Sequence, residues 1–357
     1  MRGLAVVLMI ETHAFDSFLA IKYRSSEWYW LSQFLGGMPA PLFLFLLGIS
    51  LALVLDRLHE KKVPRAVFID KVLRRGGWIL FLAYAFRVEQ VVVWFPHSDW
   101  PQILKVDILN CLALSSLAVG LCAAFGPRDR RRSAAMMAIV GGIIVCVTPW
   151  MFLIRDARPA ALIEYLNGGQ HPNYFMFFSW GAFAFIGAVT GYLLIDARSR
   201  DREQSFIRLV GVAGVIAYAL GYVGNWYPGL SYGFFDYSLT SPQFFLVRIG
   251  YMWIFLYLAY WWSRRPTANR WSPLLVFGQT SLLIYWVHIE FVYGRLRMFR
   301  NNLTLGWTAA QLLWLVPLML LFAQARLNRI RRRGLYAPVR QVIEPRFIES
   351  PGRRTGA

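Results

Sequence analysis

The sequence predicts an all-α polytopic membrane bundle of about ten transmembrane helices, and three observations predict it. Of its 357 residues, 57% are hydrophobic and only 16% charged, with a mean hydropathy of +0.44, whereas a soluble domain carries roughly 25% charged residues. Ten apolar runs are long enough to cross about 30 Å of hydrocarbon. The 38 Lys and Arg residues, against 19 Asp and Glu, gather in alternate connections between those runs. An ordinary soluble enzyme is excluded, because a globule of this size could not hide so much apolar surface from water.

The runs fall at 3–21, 31–56, 76–95, 105–125, 134–154, 175–195, 207–224, 244–262, 272–294 and 304–324. The first reads as a retained helix and not a cleaved leader: only Arg2 precedes it as a basic residue, it carries Glu11, His13 and Asp16, and it lacks a small-x-small cleavage site. The second contains Pro39 and Pro41 near its start, which free backbone carbonyls that other groups or water must satisfy. That stretch reads as a kinked opening of the span or as part of a substrate mouth, and Gly48 beyond it permits close helix packing. The third and fourth runs carry Arg87, Glu89 and Asp107; Arg87 and Glu89 are two apart and point to different faces, so Glu89 is expected to find another partner, with Arg248 of the eighth run a candidate. Cys111, Cys122 and Cys146 sit inside apolar runs as small buried hydrophobes with no disulfide framework. Trp94 to Trp100 and Asn225 to Tyr237 form aromatic loops, suited to an interfacial belt or to stacking on sugar faces. Residues 1–325 form one membrane domain, and 326–357 a basic cytoplasmic tail, disordered beyond Gly334.

Charge fixes an expected orientation. With both termini in the cytoplasm, the inner connections and the tail hold 27 Lys and Arg residues and the outer loops 8, although Arg295, Arg297 and Arg300 fall outside. This places the chain in the inner (plasma) membrane, beside anionic lipid, and absorbs most of the +19 net charge without any nucleic-acid partner.

Ionisable side chains within spans are costly, about 2.5–3.5 kcal/mol each on insertion scales, and mark functional sites. Nine are present: Glu11, His13, Asp16, Arg87, Glu89, Asp107, Arg248, His288 and Glu290. Together they imply a polar cavity inside the bundle. His13 and Asp16 are three apart on one face, so the carboxylate can hydrogen-bond one ring nitrogen and leave the other free to take a proton, the base-plus-orienter arrangement of acyl transfer. A satisfied structural histidine bonded to a backbone carbonyl is the competing reading. Arg2 lies eleven residues before His13, roughly 16 Å along a helix, a separation suited to a ligand with a charged head and a reactive far end, such as coenzyme A. Tyr285 and His288 share a face of the ninth run and either line the same cavity or satisfy each other. The sequence shows no metal-ligand spacing, phosphate-cradling glycine loop or Gly-x-Ser-x-Gly.

Arg2-Gly3 through Thr12-His13 resembles the opening of the bacterial relatives of heparan-α-glucosaminide N-acetyltransferase, the DUF1624 family, within the transmembrane acyltransferase and acyltransferase-3 superfamily. Three further stretches are similar to that family: Ala40-Pro41 through Gly48-Ile49-Ser50, the basic lead from Phe68 to Trp78, and Phe277 through Tyr285 to His288-Ile289. The resemblance covers roughly residues 2–80 and 277–291; the middle of the chain agrees only in its number of spans. Family members extend a few residues ahead of the Arg-Gly, which allows a native start upstream of Met1.

The resemblance implies a membrane-embedded acyltransferase that moves acetyl or another acyl group from cytoplasmic acyl-CoA to an acceptor on the far side, a sugar or glycan hydroxyl or amine. It implies His13 as the catalytic histidine, Asp16 as its partner, and Arg2, Lys71, Arg74 and Arg75 as contacts to the CoA phosphates, with no metal. Tyr285, His288 or Arg87 would donate to the oxyanion, and transfer is direct or passes through an acyl-histidine. The human enzyme's acceptor loops do not align, so heparan sulfate is not the expected substrate. The alternative is a transporter or lipid-binding membrane protein whose buried charges form a substrate or proton path.

Overall fold

The computed structural model describes residues 1–94, 100–154, 159–167, 175–224, 226, 241–265 and 271–332, and the regular elements among them are helices. The first helix, α1 (Arg2–Phe18), is followed by α2 (Glu27–Gly36), α3 (Pro39–Glu60), α4 (Arg65–Trp94) and α5 (Ile108–Phe125). The middle of the chain forms α6 (Arg130–Met151), the short α7 (Ala160–Asn167) and α8 (Phe177–Trp180), α9 (Ala182–Ser199) and α10 (Glu203–Gly224). The last third forms α11 (Pro242–Ser263), α12 (Pro273–Gln279), α13 (Ser281–Val292) and α14 (Leu305–Arg332). Among the described residues, eight helices are long and apolar enough to cross a membrane, taking α2 with α3 as one. Counted as one broken span, the bent pair α12 and α13 makes a ninth, and α1, with 17 residues, rises about 25 Å. The chain is a multi-pass, all-α membrane protein of about the expected number of spans.

Three spans differ in detail from a straight apolar rod. The 31–56 run is divided at Gly37 and Met38, because Pro39 takes the first position of α3, where its missing N–H costs nothing and its fixed φ suits the helix. The 105–125 run starts at Asp107, whose side chain caps Leu109 and Asn110 while Asn110 reaches back to the Asp107 backbone. The 272–294 run, expected as one helix, is broken at Thr280 with a bend of 94°. The Thr280 hydroxyl turns back on the Val276 carbonyl at 2.8 Å, closing α12, and its own carbonyl accepts from Ile284 to begin α13. At the far end α14 continues to Arg332, past the expected domain limit at 325, and 333–357 lie outside the described residues. Most of the two aromatic loops lies outside them as well.

Among the described residues the core has two main parts and a small third one, Ala83, Phe86 and Leu109, between α4 and α5. One main part is built by α3, α5, α6 and α9, around Leu42, Phe45, Phe183 and Phe185. The other is built by α1, α12, α13 and α14, around Ile10, Phe277, Ile284 and Leu315. Close approach of α3 to α9 holds the first together: a Cβ on Gly48 would stand 2.0 Å from the Ala184 carbonyl oxygen, and one on Gly187 2.1 Å from that of Phe45. Only glycine lets the backbones meet there. Phe43 and Tyr285 pack against both parts, and the space between the parts is where the polar side chains converge.

Candidate active site

A cavity of about 290 Å³ runs between the two parts of the core, walled by α1, α3, α4, α5 and α13. Helix geometry selects what each wall contributes. On α1, Arg2, Met9, Thr12 and His13 share the inward face. On α4, Arg75, Ile79 and Leu82 recur every three or four residues and face the cavity. Lys71, one turn before Arg75 on the same side of the helix, lies beyond the cavity lining and is exposed, while Arg74 turns to the flank and is paired with Asp70 at 2.8 Å. Of the four basic residues expected to contact CoA phosphates, the structure thus brings Arg2 and Arg75 to the cavity and leaves Lys71 and Arg74 on the surface of the helix. Gly3 explains how α1 seats Arg2: a Cβ there would lie 1.8 Å from the Leu274 carbonyl oxygen, so glycine allows the start of α1 to rest directly on α12.

His13 is held by α13. Its Nδ1 lies 2.8 Å from Nε2 of His288, the two rings nearly parallel at 9° with centroids 5.1 Å apart. His288 is fully buried, and its Nδ1 is 2.7 Å from the Ile284 carbonyl. A carbonyl only accepts, so with one proton on each ring the chain of bonds has a single solution. His288 Nδ1–H donates to Ile284, His288 Nε2 accepts from His13 Nδ1–H, and the Nε2 of His13 keeps its lone pair. No other side chain among the described residues bonds that nitrogen. Tyr285, one turn before His288, lines the cavity beside it, its ring packed on Phe86 and its centroid 6.1 Å from that of His288.

The expected hydrogen bond between His13 and Asp16 is not made. Asp16 stands one turn further out on α1, where its carboxylate accepts from the Tyr293 hydroxyl at 2.8 Å and pairs with Arg24 at 3.8 Å. Tyr293 then meets His13 edge-on at 5.5 Å between ring centroids. Asp16 therefore touches the imidazole only through an aromatic ring, and His288 takes the orienting place. Tyr293 was not singled out from the sequence; it lies at the end of α13, and no spacing marks it. Thr12 and Ser281, which fall within the family-like stretches but were given no role of their own, also line the cavity.

Of the remaining ionisable groups, Glu11 accepts from the cavity-lining Thr12 hydroxyl at 3.2 Å, and the others resolve away from the cavity. Arg87 pairs with Asp107 at 3.2 Å. Glu89 accepts from Gln90, which also donates to Glu290 at 2.6 Å, and Arg248 lies over the rings of Trp180 and Phe244, so the expected Glu89–Arg248 partnership is replaced. Among the described residues no group of three or more His, Cys, Asp or Glu side chains could hold a metal ion.

Residues 1–224 match the family model of the heparan-alpha-glucosaminide N-acetyltransferase catalytic domain. The chain belongs to that family. No curated protein matches it. The match spans α1 through α10 of this N-acetyltransferase family member, so it includes the middle of the chain, which by sequence resembled the family only in its number of spans. It contains Arg2, His13, Asp16 and Arg75; Tyr285, His288 and Tyr293, which complete the site, lie beyond it. Fold and family together describe a multi-pass membrane protein of an acetyltransferase family.

Proposed function

We propose that this family member transfers an acetyl group from acetyl-CoA, taken up from the cytoplasmic side of the inner membrane, to a sugar or glycan hydroxyl or amine presented at the opposite face. One observation carries the reading. A single cavity joins two guanidinium groups, Arg2 and Arg75, to a histidine whose free nitrogen is fixed by a second histidine.

The donor set suits acetyl-CoA. Arg2 and Arg75 offer charge-assisted hydrogen bonds to phosphates, and Met9, Phe43, Ile79 and Leu82 form an apolar wall for the pantetheine arm. Eleven residues of α1 separate Arg2 from His13, roughly 16 Å. Bound acetyl-CoA supplies an activated carbonyl and a thiol leaving group. His13 Nε2 removes the proton from the acceptor hydroxyl or amine as that atom attacks the carbonyl, and returns it to the departing sulfur. His288 holds the ring in this tautomer and shares the imidazolium charge. Of the three donors considered for the oxyanion, His288 has both nitrogens committed and Arg87 is paired with Asp107, which favours the Tyr285 hydroxyl.

Calorimetry of acetyl-CoA binding to the detergent-solubilised protein, followed by thiol release with a panel of amino sugars and sugar alcohols, tests the proposal. Binding near micromolar affinity with thiol release abolished by His13→Ala is the expected result. A folded protein that does not bind acetyl-CoA, with proton uptake instead dependent on His13, would replace it with the transporter reading.

A further inference from the structure

At the basic end of the bundle, away from the catalytic cavity, the starts of α6 and α10 and the end of α9 enclose a groove of about 460 Å³. Its mouth carries Arg131, Arg200 and Arg202. Asp196 sits between the first two, accepting from Arg131 Nε at 2.9 Å and from Arg200 Nε at 3.1 Å. A guanidinium has five N–H donors, so pinning each by its Nε fixes its direction and leaves both terminal amino groups available. Arg202 forms no ion pair among the described residues: of the acids on either side of it, Glu203 is engaged by Arg198 at 2.9 and 3.0 Å, and the exposed Asp201 pairs with none of the described cations. Among its lining residues the groove mouth therefore holds three cations, two of them oriented, against one carboxylate. The first turn of α10 opens beside it and adds its unpaired N–H groups and dipole to the positive field.

Below the arginines the lining changes to Leu193, Phe206 and Leu209. The apolar surface continues along α10, where Leu209, Val212, Ile216 and Leu220 are all exposed. This exposure follows from the packing: α10 lies along α11 and meets α9 only lightly, so a seam between α9 and α10 is left without protein to fill it. A cationic mouth above an apolar seam, at the end of a membrane-crossing helix pair, is complementary to one class of molecule.

We infer that this groove is a binding site for an anionic phospholipid, its phosphate held by Arg131, Arg200 and Arg202 and its acyl chains laid along the α9–α10 seam. A soluble phosphate would use the arginines but not the seam, and a neutral lipid the seam but not the arginines. Basic pockets between membrane helices hold anionic headgroups in this way, each Arg near the surface strengthening the attraction severalfold.

The test is native mass spectrometry of the intact protein released from nanodiscs of equal phosphatidylglycerol and phosphatidylcholine. The expected result is retention of phosphatidylglycerol in preference to phosphatidylcholine, with that preference lowered on the order of a hundredfold by Arg131→Ala/Arg200→Ala/Arg202→Ala together. The triple substitution strips Asp196 of its partners, so Arg202→Gln, which disturbs no ion pair, is measured beside it and should lower the preference about fivefold. Excess glycerol phosphate should not displace the lipid. Equal retention of the two lipids, an unchanged preference in Arg202→Gln, or displacement by glycerol phosphate would each overturn the assignment. The readout is independent of acetyl transfer, so its outcome leaves the catalytic proposal to its own test.

Discussion

His288 Nε2 stands 2.8 Å from His13 Nδ1 across 275 residues of sequence, and its other nitrogen is committed to the Ile284 carbonyl. The tautomer of the half-buried histidine is thus dictated by a backbone carbonyl two bonds away. If His13 is the base, His13→Ala should lower turnover by about 10²–10⁴-fold. His288→Ala should lower kcat with little change in the acetyl-CoA KM, because it frees the His13 ring without touching the phosphate end. His288→Gln, whose side-chain oxygen can still accept from Nδ1–H, should recover part of the loss. A steady-state comparison of the three variants settles it; equal losses in Ala and Gln would remove the orienting role.

The basic residues of α4 make a sharper test of donor binding. Arg75 lines the cavity and Arg74 is exposed and paired with Asp70, though they are neighbours in sequence. Arg75→Ala should weaken acetyl-CoA binding by roughly tenfold or more, in keeping with the loss of a charge-assisted hydrogen bond. Arg74→Ala and Lys71→Ala should leave it unchanged. Calorimetric titration of the three purified variants distinguishes them, and an equal effect of Arg74 would move the phosphate site to the surface of the helix.

Asp16→Asn separates the expected His–Asp pair from the observed one. Asparagine keeps an oxygen to accept the Tyr293 hydroxyl, so the site's outer wall should survive. Turnover should then fall by less than about tenfold, well short of the loss for removing a direct partner of the base. A loss as large as that of His13→Ala would mean that Asp16 reaches the imidazole during the reaction.

Most of the architecture could be read from the sequence because its signals are local. Apolar length alone marks the membrane-crossing helices, Pro39 marks where α3 begins, and Arg2 and His13 fall on one face of α1 by spacing. What was not legible depends on partners distant in sequence. The short i,i+3 spacing favoured Asp16 as the partner of His13, yet α13 approaches α1 from the side and offers His288 first. The break at Thr280 was hidden for a similar reason: the residues around it are apolar enough to continue a span, and only a side-chain hydroxyl closing on Val276 ends the helix. Three basic residues within five positions of α4 could not be ranked as ligands until the packing of α4 on α5 fixed which face turned inward and how far along that face the cavity extends, which sets Arg74 to the side and leaves Lys71 one turn beyond the lining.

Close backbone contact between α3 and α9 predicts a strong size dependence. Gly48→Leu would drive a side chain into the Ala184 carbonyl, and overpacking of this kind costs typically about 1–3 kcal/mol, occasionally more. The variant should show a clearly lowered thermal transition in detergent. Gly142→Ala on α6, where a Cβ meets nothing within 4 Å, is the control and should leave the transition unchanged or raise it.

The Arg87–Asp107 pair should behave asymmetrically. Asp107 does two things at once: its Oδ1 caps Leu109 and Asn110, and its Oδ2 lies 3.2 Å from Arg87 Nε. Asp107→Asn preserves an oxygen for the cap but leaves the mostly buried guanidinium without a counter-charge, which should destabilise the protein by about 3–5 kcal/mol. Arg87→Met alone should cost less, because the remaining carboxylate still accepts two backbone N–H bonds. In Arg87→Met/Asp107→Asn the unpaired charge is gone while the cap stays, so stability should return toward that of the parent, with a coupling between the two sites comparable to the loss in Asp107→Asn alone. Unfolding of the four proteins in the same detergent measures the coupling directly; additive losses would show that the 3.2 Å approach contributes nothing to holding α4 against the start of α5.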